Sequence, residues 1–222
     1  MATKKVKEPT VPTRAEIIEQ YADYCLTHGS KPATVYKFAK DNGYSEGAFY
    51  KHFPSFEVLE ESYFVEMFNH AVELQEQSPA YAAYTGVEKL SAIYFTFFEI
   101  ATANRSFVVY SLGEGSNALK NLMKLRELRK VFTEYAAAVL ENPVDLKHPR
   151  AEKIQKEALK EGAWVQFLSI FKFWMGDTSA SFEKTDVFIE KSVKASNDLV
   201  YNSPINSLVD LGKFLWKEKF TV

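Results

Sequence analysis

The chain has 222 residues, of which 46% are hydrophobic and 25% charged; this composition excludes a disordered protein and predicts a folded core. Its single cysteine, Cys25, excludes an intramolecular disulfide framework. The longest apolar run, LSAIYFTFFEIATA, is too short to cross a bilayer, so we expect no membrane span. The N-terminal MATKKVKEPTVPTR lacks a following apolar stretch, so we expect no secretory signal and a cytoplasmic location.

Charge is distributed unevenly along the chain. The net charge is −2, which by itself argues against an obligatory polyanion binder. Residues 1–53 carry +2 and the remainder carries −4. A basic N-terminal part followed by an acidic remainder is suited to local contact with phosphate groups.

Apolar residues recur at spacings of three and four almost everywhere, which predicts an all-α fold with about nine or ten helices. The first helix spans Thr13–His28, where Thr13 and Glu16 form a capping box and Gly29 ends the helix. A second helix begins at Pro32 and runs to Asn42. Ser45 caps a short third helix, which Pro54 closes. The remaining helices are predicted at residues 55–77, 85–103, 104–112, 118–141, 149–175, 182–201 and 204–217.

The spacing of Ala39, Gly43 and Phe49 is typical of a helix-turn-helix. Such a motif needs a small residue where two helices cross, a left-handed turn residue four positions later, and a bulky anchor six positions beyond it. The helix capped by Ser45 would then enter the major groove of DNA with its N-terminus.

The run AKDNGYSEGAFYKHFPSFEVL, residues 39–59, resembles the DNA-binding part of the TetR family of transcription regulators. The matching residues are Gly43, Ser45, Gly47, Phe49, Tyr50, His52, Phe53, Glu57 and Leu59. The resemblance covers about residues 13–60; the rest is similar only in length and helical character. It implies a flexible basic arm at residues 1–12, a helix-turn-helix domain at 13–54 (the head), and a helical ligand-binding and dimerisation domain at 55–222 (the body).

The resemblance also implies which residues meet DNA. The predicted DNA-binding residues are Thr34, Ser45, Glu46, Gly47, Ala48, Tyr50, Lys51 and His52. Thr34, Tyr50 and His52 match phosphate-contacting positions, and Lys51 adds a cation. The alternative for Tyr50 and His52 is a packed hinge between the third and fourth helices. Two positions depart from the family pattern: Phe56 replaces the usual lysine, and Ala33 replaces a threonine.

For the body, the resemblance implies a dimer that responds to a small molecule. The pocket for an apolar or aromatic ligand would be lined by Tyr94, Phe97, Phe98, Phe107, Tyr110, Phe132 and Tyr135. The alternative is that these aromatic residues, which recur at helical spacing, form a core without a pocket. The helix at Trp164–Met175 is apolar on two sides and predicts the dimer interface together with residues 182–201. The interface residues would be Trp164, Phe167, Phe171, Trp174 and Phe188.

The histidines are scattered without metal-ligand spacing, so we expect no metal, no cofactor and no enzymatic activity. The resemblance to the TetR family implies a homodimeric, ligand-responsive regulator, expected to be a repressor, that binds a palindromic operator in double-stranded DNA. The segment FWMGDTSASFEKTDVFIEKSV is faintly similar to lipid-binding coenzyme-Q-biosynthesis proteins of TetR-like fold. The alternative is accordingly a TetR-fold protein that binds a lipid or other hydrophobic ligand and has lost operator binding.

Overall fold

The computed structural model describes residues 11–113, 123–142 and 149–201. Within these ranges the regular structure is helical, without a β-strand, as the all-α prediction requires. The α-helices are α1 (Arg14–His28), α2 (Val35–Asp41), α3 (Glu46–Tyr50), α4 (Phe56–Glu76), α5 (Gly86–Ala103), α6 (Arg105–Gly113), α7 (Arg126–Val139), α8 (Pro149–Gly176) and α9 (Glu183–Tyr201). Short 3₁₀ turns lie at Tyr81–Ala83 and Ala180–Phe182. No helix in the described residues is long and apolar enough to span a membrane.

Capping residues account for where α1 begins and ends. The Thr13 side chain accepts a hydrogen bond from the backbone of Glu16, and the Glu16 carboxylate accepts one from the Thr13 backbone at 2.7 Å. Gly29 follows the last turn with φ of 63°, the left-handed conformation that ends many helices. The predicted capping box and the predicted stop are both confirmed.

The start of α2 differs from the prediction. The helix begins at Val35, with Thr34 as its N-cap, and not at Pro32. The Thr34 hydroxyl accepts a hydrogen bond from the Lys37 backbone at 3.1 Å, which satisfies a donor of the first turn. Pro32 is buried in the preceding loop. Proline is compatible both with a loop and with the first turn of a helix, so Pro32 alone could not show where α2 begins.

The chain divides into two compact units. The first unit comprises Met1–His70 and Ile100–Lys130, and the second comprises Ala71–Glu99 and Val131–Val222. The boundary predicted after residue 54 divides the chain by function, into head and body, and stays a prediction.

Aromatic rings form the core of the first unit around Phe38. The Phe38 ring makes edge contacts with Tyr21, Phe49 and Phe56 at centroid distances of 6.1, 6.2 and 5.6 Å. Cys25 is buried in the same unit, and burial raises the pKa of its thiol. A buried, protonated cysteine packs as a small apolar residue, as its place in the apolar stripe of α1 predicts.

Phe167 lies at the centre of the second unit. This fully buried ring contacts six other rings within 6.2 Å, those of Tyr94, Phe97, Phe98, Phe132, Trp164 and Phe171. Offset and edge-to-face ring contacts at these distances contribute about 0.5–1.5 kcal/mol per pair beyond the area they bury. The cluster therefore fixes α8 against α5 and α7.

Asp177 organises the connection between α8 and α9. Burial alone would raise the pKa of Asp177, but hydrogen bonds from the backbone and hydroxyl groups of Ser179 and Thr185 outweigh it and hold the pKa well below its usual range. The ionised carboxylate thus caps the start of α9. It also borders a turn in which Ser181 and Phe182 have positive φ angles of 52° and 58°.

Candidate nucleic-acid interface

The turn between α2 and α3 has the geometry that its sequence predicts. Gly43 has φ of 80°, a left-handed conformation that costs a residue with a Cβ atom about 1–2 kcal/mol. Its backbone nitrogen donates to the Lys40 carbonyl at 3.2 Å, which closes the end of α2. Ala39 and Phe49 are fully buried on either side of the turn. The small residue, the left-handed residue and the anchor therefore have the burial and the backbone conformation that the predicted motif requires.

Ser45 begins α3 and leaves one side of that helix exposed. Its hydroxyl accepts a hydrogen bond from the Ala48 backbone at 3.2 Å. Gly47, Tyr50 and Lys51 are exposed, and Glu46 is half-buried. We call the residues Ser45, Glu46, Gly47, Tyr50 and Lys51 the outer face of α3. Thr34, the N-cap of α2, is exposed as well.

Ala48 is the one predicted α3 contact that turns away from the outer face. Only 8% of its surface is exposed, because it lies on the side of α3 that also carries the fully buried Phe49. A methyl group in that position packs within the unit. Ala48, although predicted among the DNA-binding residues, therefore does not lie on the outer face of α3.

Tyr50 and Glu46 interact across one helical turn. The Tyr50 hydroxyl donates to Glu46 Oε1 at 3.2 Å, and the Tyr50 side chain is 50% exposed. Partial desolvation, together with the neighbouring carboxylate, raises the pKa of Tyr50, so its hydroxyl keeps its proton and remains a donor. Glu46, an acceptor, and Tyr50, a donor, are thus both available at the exposed side of one helix.

His52 has contacts within the protein. Its Nε2 lies 3.1 Å from the Pro12 carbonyl oxygen, an arrangement in which the ring nitrogen donates. The His52 carbonyl in turn accepts from Arg14 Nη1 at 3.2 Å, while Arg14 also pairs with Glu66 at 3.0 Å and lies over the Phe53 ring. These contacts favour the hinge interpretation for His52. A phosphate contact would have to use its other ring nitrogen.

Phe56, which replaces the family's usual lysine, contributes to the core of the first unit. Its ring stacks on Tyr21 at a centroid distance of 5.1 Å and makes edge contacts with Phe38 and Phe49. A lysine at this position would lose these ring contacts. Ala33, the second departure, is exposed and offers no hydroxyl to a phosphate.

Three exposed residues of α2 were not predicted from the sequence. Tyr36 is 59% exposed, Lys37 and Lys40 are exposed beside it, and Lys40 Nζ lies 5.9 Å from the Tyr36 ring centroid. An aromatic residue followed four positions later by lysine on a short polar helix is a detectable signal for such a pair. These residues add two cations to the exposed surface of the first unit.

Comparison with known families identifies the rest of the chain. A family model described as "Tetracyclin repressor-like, C-terminal domain" matches residues 89–215, more than half of the chain. The chain belongs to the TetR family. No curated protein matches it. The TetR match lies entirely within the body, so the assignment of the head depends on the geometry of α2, Gly43 and α3.

The ligand-lining residues predicted for this TetR-family body lie in both units. Tyr94, Phe97 and Phe132 are fully buried in the second unit, and Phe98 is 3% exposed. The Tyr94 hydroxyl donates to the Ala163 carbonyl at 3.0 Å, and burial raises the pKa of Tyr94 well above its usual value. Tyr135 is half-buried, and its hydroxyl lies 2.7 Å from that of Tyr81.

Phe107 and Tyr110 belong to the first unit. Phe107 is 3% exposed and contacts Tyr63 at a centroid distance of 4.5 Å, while Tyr110 is half-buried beside it. Their ligand role, like that of the five aromatic residues in the second unit, stays a prediction.

Four of the five rings predicted for the TetR-type dimer interface lie inside the second unit. Phe167 and Trp174 are fully buried, and Trp164 and Phe171 are 6% and 4% exposed. A partner chain cannot contact side chains that their own unit already covers, so the proposed interface moves to the other side of α8. That side exposes Val165 and Phe173, and the Phe173 ring stacks on the half-buried Phe188 at 4.5 Å.

No group of three or more His, Cys, Asp or Glu side chains that could hold a metal ion occurs among the residues that the structure describes.

Proposed function

We propose that this TetR-family protein is a transcription regulator that binds a palindromic DNA operator as a homodimer through its head. The observation that carries the proposal is the outer face of α3, which Gly43 and the Ser45 cap leave exposed at the end of a helix-turn-helix. We expect the regulator to act as a repressor that a small molecule releases from DNA.

The chemistry of this surface fits double-stranded DNA. Lys51 at the end of α3 and Lys37 and Lys40 on α2 are exposed cations suited to phosphate groups. Gly47 has no side chain that would keep α3 away from the groove. The Glu46 carboxylate can accept a hydrogen bond from the amino group of cytosine in the major groove. Phosphate contacts would give affinity and Glu46 would give sequence preference.

A second copy would bring a second head to the same duplex. We place the dimer contact on the exposed sides of α8 and α9, where Val165, Phe173 and Val187 are 61%, 38% and 47% exposed. Exposed apolar residues on neighbouring helices are typical of a surface that a partner covers. A twofold dimer of this kind would read two half-sites about 34 Å apart.

For the ligand we propose an apolar or aromatic molecule that binds in the body and prefers the conformation unable to bind DNA. Tyr135 and Tyr81, whose hydroxyls lie 2.7 Å apart at partly exposed positions, are the polar anchors best placed to meet it. A preference of about 2 kcal/mol for that conformation lowers operator affinity about 30-fold.

Selection of DNA from a random double-stranded pool by the purified full-length protein tests the proposal. We expect enrichment of an inverted repeat whose half-sites are separated by one helical turn. Recovery without sequence preference would contradict the regulator function. It would favour the alternative, a hydrophobic-ligand binder without operator function, which the replacement of lysine by the packed Phe56 supports.

A further inference from the structure

Glu60 on α4 is a buried carboxylate that the DNA-binding surface does not use. Only 2% of the residue is exposed. Its Oε1 accepts a hydrogen bond from the Tyr21 hydroxyl at 2.6 Å and lies 2.7 Å from Lys31 Nζ, while its Oε2 lies 3.2 Å from Lys124 Nζ. One buried negative charge is thus shared by two lysines. Such an arrangement is stable only while at least one cation and the hydrogen bond remain.

The partners of Glu60 come from separate parts of the first unit. Tyr21 lies on α1 and is fully buried; burial and the Glu60 carboxylate raise the pKa of its hydroxyl, so it is a permanent donor. Lys31 belongs to the loop between α1 and α2. Lys124 precedes α7, and its ammonium group also donates to the carbonyl of Ser111 near the end of α6. Glu60 therefore connects the α1–α2 loop to the segment that contains Lys124.

The loop held by Lys31 leads directly to the proposed DNA contact at Thr34. Lys31 is three residues before Thr34, and the intervening Pro32 restricts the backbone between them. Fixing the Lys31 ammonium group on Glu60 therefore limits where the N-cap of α2 can lie. The Lys31 side chain is 42% exposed, so the strength of its ion pair with Glu60 can change without disrupting the core.

We propose that Glu60 is a positioning residue that couples the Ser111–Lys124 contact to the DNA-facing loop of the head. Lys31 and Lys124 compete for one carboxylate charge. A change that moves Lys124 away from Glu60 strengthens the Lys31–Glu60 ion pair and so holds the α1–α2 loop more tightly. A change that brings Lys124 closer to Glu60 weakens the Lys31–Glu60 ion pair and so loosens the loop. The effect on DNA rests on the proposed function, whereas the coupling between Lys124 and the loop does not.

Hydrogen–deuterium exchange of the full-length protein tests the coupling without DNA. Lys124→Met keeps the apolar stem and removes the charge, and Glu60 keeps Lys31 and Tyr21 as partners. We expect exchange at the amides of residues 29–37 to slow about fivefold or more, the lower range of couplings between sites. In the Glu60→Gln background, which has no carboxylate charge to share, the same substitution should have no effect on these amides.

Lys160→Met is the matched control, because Lys160 pairs with Glu157 at 2.7 Å and is 25% exposed, close to the 24% of Lys124. It should leave residues 29–37 unchanged. An equal effect of Lys124→Met in both backgrounds, or a uniform change of exchange throughout α1, would overturn the coupling.

The wild type, Lys124→Met, Glu60→Gln and the variant with both substitutions can also be titrated with the selected operator. We expect Lys124→Met to change operator affinity about fivefold in the wild-type background and not in Glu60→Gln. Coupling in exchange without any operator binding would contradict the proposed function and support the role of Glu60. Operator binding with additive effects of the two substitutions would overturn the role of Glu60 and leave the regulator function in place.

Discussion

Tyr50 is the exposed side chain on which the DNA-binding proposal most directly depends. Half of it is exposed, its hydroxyl donates to Glu46, and its ring touches the buried Phe49 only at an edge. A side chain with so little buried area contributes little to the stability of the fold. Its removal should therefore affect binding much more than folding.

We predict that Tyr50→Ala weakens operator binding by about 1.5–3 kcal/mol, the value of a hydrogen bond to a charged phosphate. The slope of log affinity against log salt should stay unchanged, because a neutral hydroxyl releases no counterion. Fluorescence anisotropy over a series of salt concentrations measures both quantities. Tyr50→Phe is the control for the ring: it keeps the edge contact with Phe49 and loses only the hydroxyl. A fall in thermal stability that matches the loss of affinity would assign Tyr50 to the hinge instead.

Residue roles were predictable where a local rule determines them and not where packing does. The N-caps Thr13 and Ser45 were predictable because a hydroxyl group just before a helix commonly accepts a hydrogen bond from the backbone of the first turn. The burial of Ala48 is a matter of packing within the unit, and the ring stack of Phe56 depends on Tyr21 of α1, which lies far away in sequence. A pattern within α3 and α4 therefore did not contain that information.

At the scale of elements, the α2–turn–α3 unit depends on the left-handed backbone of Gly43. A Cβ atom at this position would meet nothing within 4 Å, so space is not the constraint. The constraint is φ of 80°, which L-residues rarely adopt. A substitution at Gly43 thus isolates backbone strain from steric contact.

We predict that Gly43→Ala lowers the free energy of unfolding by about 1–2 kcal/mol and that Gly43→Asn lowers it less, because asparagine tolerates the left-handed region. Urea unfolding followed by circular dichroism measures the change. Gly162→Ala is the matched control: Gly162 lies inside α8, also with open space at its Cβ position, so alanine there should stabilise by about 0.5–1 kcal/mol. Equal effects at the two glycines would show that the turn is not strained.

Most element boundaries agreed with the sequence prediction because they carry caps or breakers. The predicted helices at residues 149–175 and 182–201 are α8, Pro149–Gly176, and α9, Glu183–Tyr201. The helix predicted at 118–141 is α7, Arg126–Val139, in its described part, and the one predicted at 204–217 lies outside the described residues. Helical periodicity locates an apolar stretch well and its first turn less well, because the cap is set by one side chain.

At the scale of the whole molecule, the two sides of α8 have different partners. The side that carries Phe167 and Trp174 faces the interior of the second unit, and the side that carries Val165 is exposed. Both sides are apolar in the sequence, so periodicity alone could not decide which of them meets a partner chain. The larger rings are covered within their own unit, which leaves the smaller apolar side for the proposed dimer.

We predict that Val165→Glu yields monomers with unchanged thermal stability, whereas Trp174→Glu unfolds the second unit because it buries a charge without a partner. Sedimentation velocity measures the first effect, and circular dichroism during heating measures the second. Leu26→Glu, at a 45% exposed position of α1, is the control for an added surface charge and should sediment as the wild type. An unchanged sedimentation coefficient for Val165→Glu would exclude this side of α8 as the interface.

The location of the tryptophans has a spectroscopic consequence. Trp164 and Trp174 are buried in α8, in the second unit, and residues 1–70 and 100–130, which form the first unit, contain no tryptophan. Indole emission excited at long wavelength therefore carries no signal from the first unit, which contains α2 and α3. A single tryptophan introduced at Tyr36 would supply the missing optical signal.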